Sequence, residues 1–232
     1  MGPLRRGALA VVAVASLAFF PTTAPAATGR TVSVTASATV KVPNDTATLG
    51  VGVKRERKTR GAALSATAAA LRKVIAAAQG FPGVGEGDIR TGRIDIRAVK
   101  KGTVTVYRAS EGASITLHEP AKAGELVTTV ISAGATGVNG PSFSVGDKEA
   151  AFAKALAAAF TKAKEHAGVL ATQAGAKLGP ALTIEEGEGQ ISGGEFQGSF
   201  FAEEEVEAKT PAPTKPGKST VRATVHVVFE LL

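Results

Sequence analysis

Strict two-residue alternation near the two ends of the chain constrains the fold more than any other feature. Between Thr31 and Val42, residues Val32, Val34, Ala36, Ala38, Val40 and Val42 share one face, with mainly Thr, Ser and Lys on the other. Between Thr220 and Leu231 the pattern recurs in Val221, Ala223, Val225, Val227 and Phe229. Alternate side chains of a strand point to opposite faces, so both segments predict long strands with one buried face. In between, the period changes. After Thr59, residues Leu64, Ala68, Leu71, Ile75 and Ala78 recur at helical spacing, and Gly80 and Pro82 follow the predicted end. Pro120 opens a second predicted helix with Leu126, Val127, Val130 and Ile131 inward, broken by Gly134 and Gly137. Asp147 caps the longest, whose predicted apolar stripe is Phe152, Leu156, Phe160, Ala163, Ala167 and Leu170.

The remaining strands are predicted at Thr46 to Val53, Arg93 to Val99, Thr103 to His118, Val138 to Val145 and Ala181 to Glu186. Pro43-Asn44-Asp45 predicts a hairpin between the first two strands, and Gly112 a bend or bulge in the fourth. The order ββαββαβαββ is an α+β pattern, a mixed or antiparallel sheet with helices packed on it. Gly187 to Ser219, rich in Gly, Glu, Pro and Lys, fits neither period and is predicted to be a flexible acidic insert within a domain spanning residues 27–232.

Residues 1–26 have the layout of a secretory signal peptide. Arg5 and Arg6 precede an uncharged apolar run from Gly7 to Phe20, and Ala24-Pro25-Ala26 supplies small residues for cleavage. That run falls short of the ~20 residues a membrane-spanning helix needs, and no later segment is predicted to span. The processed chain is expected in the periplasm, at the cell envelope or secreted. Its net charge falls from +7 to +5, because two arginines leave and no acid does.

With no cysteine, the chain has no disulfides, thiolate nucleophiles or zinc-finger ligands, and its single methionine is the initiator. An exported form therefore carries no sulfur with which to scavenge oxidants. His118, His166 and His226 show no metal-ligand spacing. No Gly-x-Ser-x-Gly elbow, Walker pattern or Gly-x-Gly-x-x-Gly fingerprint is present. No catalytic residue, metal site or cofactor is nominated, and a non-enzymatic protein is expected.

Charge is segregated. Glu185 to Glu207 holds eight acids, Glu203, Glu204 and Glu205 among them, and no Lys or Arg. Lys54, Arg55, Arg57, Lys58 and Arg60 place five bases in seven residues. Three readings of that segment stand side by side: a solvated surface, attraction to anionic envelope polymers or lipid headgroups, and docking of the acidic insert of another copy. Export and an aromatic content of 5% disfavour nucleic acid, which binds on stacking platforms.

The segment VSVTASATVKVPNDTATLGVGV, Val32 to Val53, resembles the opening of SIMPL-domain proteins, exported bacterial proteins grouped with periplasmic immunogenic and oxidative-stress-defence proteins. A second similar stretch runs from Ile131 to Glu186 through an Ala-Gly-Ala turn, a Gly-x-Ser-Phe strand, an Asp-capped Ala/Lys helix and a Lys-Leu-Gly element. Tyr107-Arg108-Ala109-Ser110 and the closing strand complete the set. The resemblance implies an α+β fold, export, homo-oligomers of ring-like or channel-like form and a loose link to oxidative-stress tolerance. It implies no catalytic residues. A self-associating structural or interaction module is the expected function. The alternative is a monomeric module that binds anionic envelope surfaces through residues 54–60.

Overall fold

The computed structural model describes residues 29–192 and 213–232. The predicted signal peptide lies outside these residues, as do Glu203, Glu204 and Glu205 of the predicted insert. In chain order the elements are β1 (Thr31–Pro43), β2 (Thr46–Arg57), α1 (Arg60–Gln79), β3 (Ile89–Thr91), β4 (Asp95–Lys101), β5 (Val104–Leu117), α2 (Ala123–Ser132), β6 (Gly137–Ser144), α3 (Lys148–Gln173), β7 (Leu178–Glu186), β8 (Gln190–Ser192) and β9 (Lys218–Leu231). The fold is α+β, with every strand pairing antiparallel.

The strands form two sheets. One has the order β1-β9-β7, with β8 also on β9; the other runs β3-β5-β2-β6, with β4 also on β5. The predicted hairpin between the first two strands is therefore corrected. β1 pairs with β9 in unbroken register from Thr31 opposite Glu230 to Pro43 opposite Lys218, while β2 lies between β5 and β6. The intervening corner explains the difference. Asn44 donates its backbone N–H to Gly217 O at 3.2 Å and its Nδ2 to Pro216 O at 2.6 Å, on the β9 side. Asp45, next in sequence, donates its N–H to Ser144 O at 3.2 Å, on the β6 side. Hydrogen bonds at Pro43-Asn44-Asp45 thus hand the chain from one sheet to the other.

Two further expectations shift. The predicted third strand, Arg93 to Val99, is β4, and a short strand that the pattern did not predict, β3, precedes it; both pair with β5 and are separated by Gly92, Arg93 and Ile94. No bulge interrupts β5 against β2, whose register runs from Ala47 opposite Leu117 to Arg57 opposite Tyr107. The irregularity near Gly112 belongs to its other neighbour, where β3 gives way to β4. Within the span read as an insert, β8 and the first residues of β9 are paired strand.

Each sheet has its own core. α1 and α2 cover the five-stranded sheet, burying Leu49, Val51 and Val53 of β2 and Ile115 and Leu117 of β5 against Leu71, Val74, Leu126 and Val130. Thr59 caps α1 by accepting the Ala62 N–H at 3.2 Å. The buried line of α1 is Ala63, Thr67, Leu71, Val74 and Ala78, so the helix is rotated from the expected stripe and Leu64 is 39% exposed. By length and composition α1 could cross a membrane, but this line packs into the core.

α3 covers the four-stranded sheet. Asp147 accepts the Ala150 N–H at 2.8 Å, as its capping position predicts. The innermost ridge is alanine at every fourth residue, from Ala151 through Ala155, Ala159, Ala163 and Ala167 to Ala171. Phe152, Leu156 and Phe160 flank it half-buried, and Leu170, expected inward, is 50% exposed. The i, i+4 ridge winds slowly around a helix, which suits a long helix laid across a twisted sheet at short range.

Candidate functional site

Among the described residues no helix packs on the other face of the five-stranded sheet, and that face carries a groove of about 1130 Å³. Strand alternation creates it. Leu49, Val51 and Val53 of β2 point to the helices, which leaves Gly50, Gly52 and Lys54 on the opposite face. Gly52 is paired with Gly112 of β5 on one side and with Gly137 of β6 on the other. Gly92 extends the row by donating its N–H to Gly112 O at 2.8 Å. Four glycines thus cross four chain segments in a line, and the floor of the groove is bare backbone. At Gly112 the requirement is steric: a Cβ there would sit 2.9 Å from Val51 O. Gly52 and Gly137 meet no such limit, with nothing closer than 3.9 Å and nothing within 4 Å respectively.

Polar and cationic side chains border this floor. Asn139 and Ser114 flank Gly50 in register, and Arg90 lies beyond Ser114. On the other side stand Lys54, opposite Ser110, and Arg93. Among the described residues Glu111 is the one acid lining the groove. Farther along the same face Glu56 accepts from Arg108 at 2.6 Å and from Lys101 at 2.5 Å. Hydrogen bonds from Lys101, then Arg108, hold the Glu56 carboxyl below the usual carboxylate range.

The five bases expected to act together are dispersed by the same alternation. Lys54 lines the groove. Arg55 donates from Nη2 to Gly134 O at 3.1 Å, just past the C-terminal end of α2, where carbonyl oxygens lack intrahelical partners. Arg57 donates to the neighbouring Glu56 carbonyl at 2.7 Å, and Lys58 is exposed in the turn before α1. Arg60 stacks 5.4 Å from the centre of the Tyr107 ring. Sequence reading passed over Arg90, Arg93 and the glycine row. The available signal was glycine inside strand patterns, at Gly50, Gly52 and Gly112, which marks close approach to a backbone.

The three histidines lie on separate elements. His166 is exposed on α3. His118 Nε2 stands 3.0 Å from Asp88 Oδ1 at the end of β5. The Gly85 N–H, then His118, hold the Asp88 carboxyl below its ordinary range. His226, on the face of the four-stranded sheet opposite α3, shares hydrogen bonds with Ser33 Oγ at 3.1 Å and Thr35 Oγ1 at 2.9 Å. Among the described residues no three His, Asp or Glu side chains gather as a metal site would require.

Residues 32–229 match the family described as "SIMPL: Protein of unknown function (DUF541)". The chain belongs to the SIMPL family. That match starts in β1 and ends in β9, so the SIMPL region includes both sheets and the whole groove. The chain is also similar to a "26 kDa periplasmic immunogenic protein" of Brucella abortus strain S19, 27% identical over 220 residues that cover 86% of this chain and 84% of that protein. The protein of the same name from Brucella melitensis biotype 1 is 27% identical over 220 residues, with the same coverage.

Proposed function

We propose that this SIMPL protein is exported and non-enzymatic, and that its copies join through the open edges of the four-stranded sheet to form a structural or interaction module of the cell envelope. The leader-like residues 1–26 and the periplasmic naming of the Brucella relatives support export. One observation carries the assembly reading. β1 pairs over 13 residues with β9, and among the described residues no strand pairs with its other side. An unpaired strand edge is a template for pairing with another chain. β7 ends the opposite side of the sheet and exposes Leu182 and Ile184 at 54% and 58%. Joining β1 of one copy to β7 of the next would be head-to-tail, an arrangement that gives a ring where the rotation between copies closes and a filament where it does not.

Catalysis has little to work with here. The Asp88–His118 hydrogen bond and the His226 hydroxyl contacts lie on separate elements at solvent-accessible positions, so they do not form one reacting constellation. Any part in oxidative-stress tolerance would be indirect, since the processed chain lacks sulfur. Light scattering behind a sizing column is expected to give a mass above the monomer for the processed chain. Leu182→Lys with Ile184→Lys is expected to shift it to monomer while the circular dichroism spectrum stays unchanged. A strict monomer at high micromolar concentration and low salt rejects the proposal.

A further inference from the structure

We infer that the glycine-floored groove on the five-stranded sheet binds an acidic polysaccharide, a function separate from self-association. Shape comes first. The glycine row runs across four chain segments, so with neighbouring strands ~4.8 Å apart the bare floor extends roughly 14 Å at right angles to the strands. A thin polymer laid along it reaches backbone level, which side chains at those positions would prevent.

Charge narrows the partner. Lys54, Arg90 and Arg93 line the groove, and among the described residues none of them forms an ion pair, although Glu56 and Asp88 are both engaged nearby. Against these cations the lining offers, among the described residues, only Glu111. Arginine forks match carboxylates in two-point contact. Ser110, Ser114 and Asn139 add hydroxyl and amide groups that both donate and accept, as sugar hydroxyls require. No aromatic ring lines the groove among the described residues, so a ligand that binds by stacking, such as single-stranded nucleic acid, finds no platform. Carboxylates for the cations and hydroxyls for the polar side chains occur together in a uronic-acid polymer, which uses both sets.

The test is calorimetric titration of the processed chain with an oligogalacturonate, a neutral maltooligosaccharide of equal length and a polyphosphate of equal charge. Saturable binding of the oligogalacturonate that weakens with added salt is expected, with the neutral sugar inert and the polyphosphate weaker. Arg90→Ser with Arg93→Ser is expected to weaken binding by about 100-fold, roughly tenfold for each charge-assisted contact. Gly137→Leu fills the groove without altering charge, and its Cβ meets no atom within 4 Å. It is expected to weaken binding about tenfold at an unchanged thermal midpoint. If Gly137→Leu lowers that midpoint, Asn139→Ala replaces it as the charge-neutral variant. No binding, binding indifferent to the arginine pair or to the charge-neutral variant, or equal affinity for the neutral sugar or the polyphosphate overturns the inference. The light-scattering mass is read separately, so failure here leaves the assembly proposal standing.

Discussion

Thr67 sits wholly buried in the middle of α1, and its hydroxyl faces both Ala63 O at 2.9 Å and Ala109 O at 3.3 Å. Replacing it by valine keeps the shape and removes the donor. Thr67→Val is expected to lower the free energy of unfolding by about 1 kcal/mol, measured by urea denaturation. Asp88 makes a pH-dependent contribution. Its carboxyl is held below the ordinary range by the Gly85 N–H and then by His118. A carboxylate whose folded value is depressed adds stability above its unfolded value and loses it as pH falls through the folded one. Asp88→Asn is therefore expected to lower the thermal midpoint at neutral pH, with the two proteins converging in acid below about pH 4. At this scale the Asp147 cap was legible in sequence, because it acts on backbone three residues away, as Thr59 does at the start of α1. The partners of Asp88 and Thr67 were not: His118 is 30 residues from the first and Ala109 is 42 from the second.

α3 shows how far an element can be read from its own pattern. Its existence, length and cap follow from the sequence, yet its innermost line is alanine and its larger apolar residues flank that line. A hydrophobicity pattern favours large side chains, whereas close packing of a helix on a sheet favours small ones where backbones approach. Ala163→Leu is expected to cost about 1–3 kcal/mol by overpacking, read as a shift in the denaturation midpoint. Leu170→Ala, at an exposed position, is expected to change stability by less than about 0.5 kcal/mol. The basic segment teaches a related lesson. Five cations within seven residues look like one patch in sequence, but strand alternation and the start of α1 send Lys54 to the groove, Arg55 to the end of α2 and Arg60 to Tyr107.

Across the whole molecule, one buried cluster lies under α1 and α2 and two lie under α3, and where the chain passes from β1 to β2 Ser219 Oγ donates to Asn44 Oδ1 at 2.6 Å in a buried setting. Asn44→Ala removes that acceptor and the donor to Pro216 O together, and is expected to cost about 1–3 kcal/mol in chemical denaturation. Membership of the SIMPL family was legible too, as an ordered set of short motifs spread over both halves of the domain. By itself the sequence determined the three helices, the long strands, the α+β class and the absence of cysteine chemistry, because periodicity, capping and composition act within a few residues. Tertiary structure alone decided that β1 joins β9 instead of β2, that glycines distant in sequence align into one floor, and that Arg90, Arg93 and Lys54 border it. Those outcomes depend on backbone hydrogen bonds between strands far apart in the chain, and no local pattern states which strand will be whose neighbour.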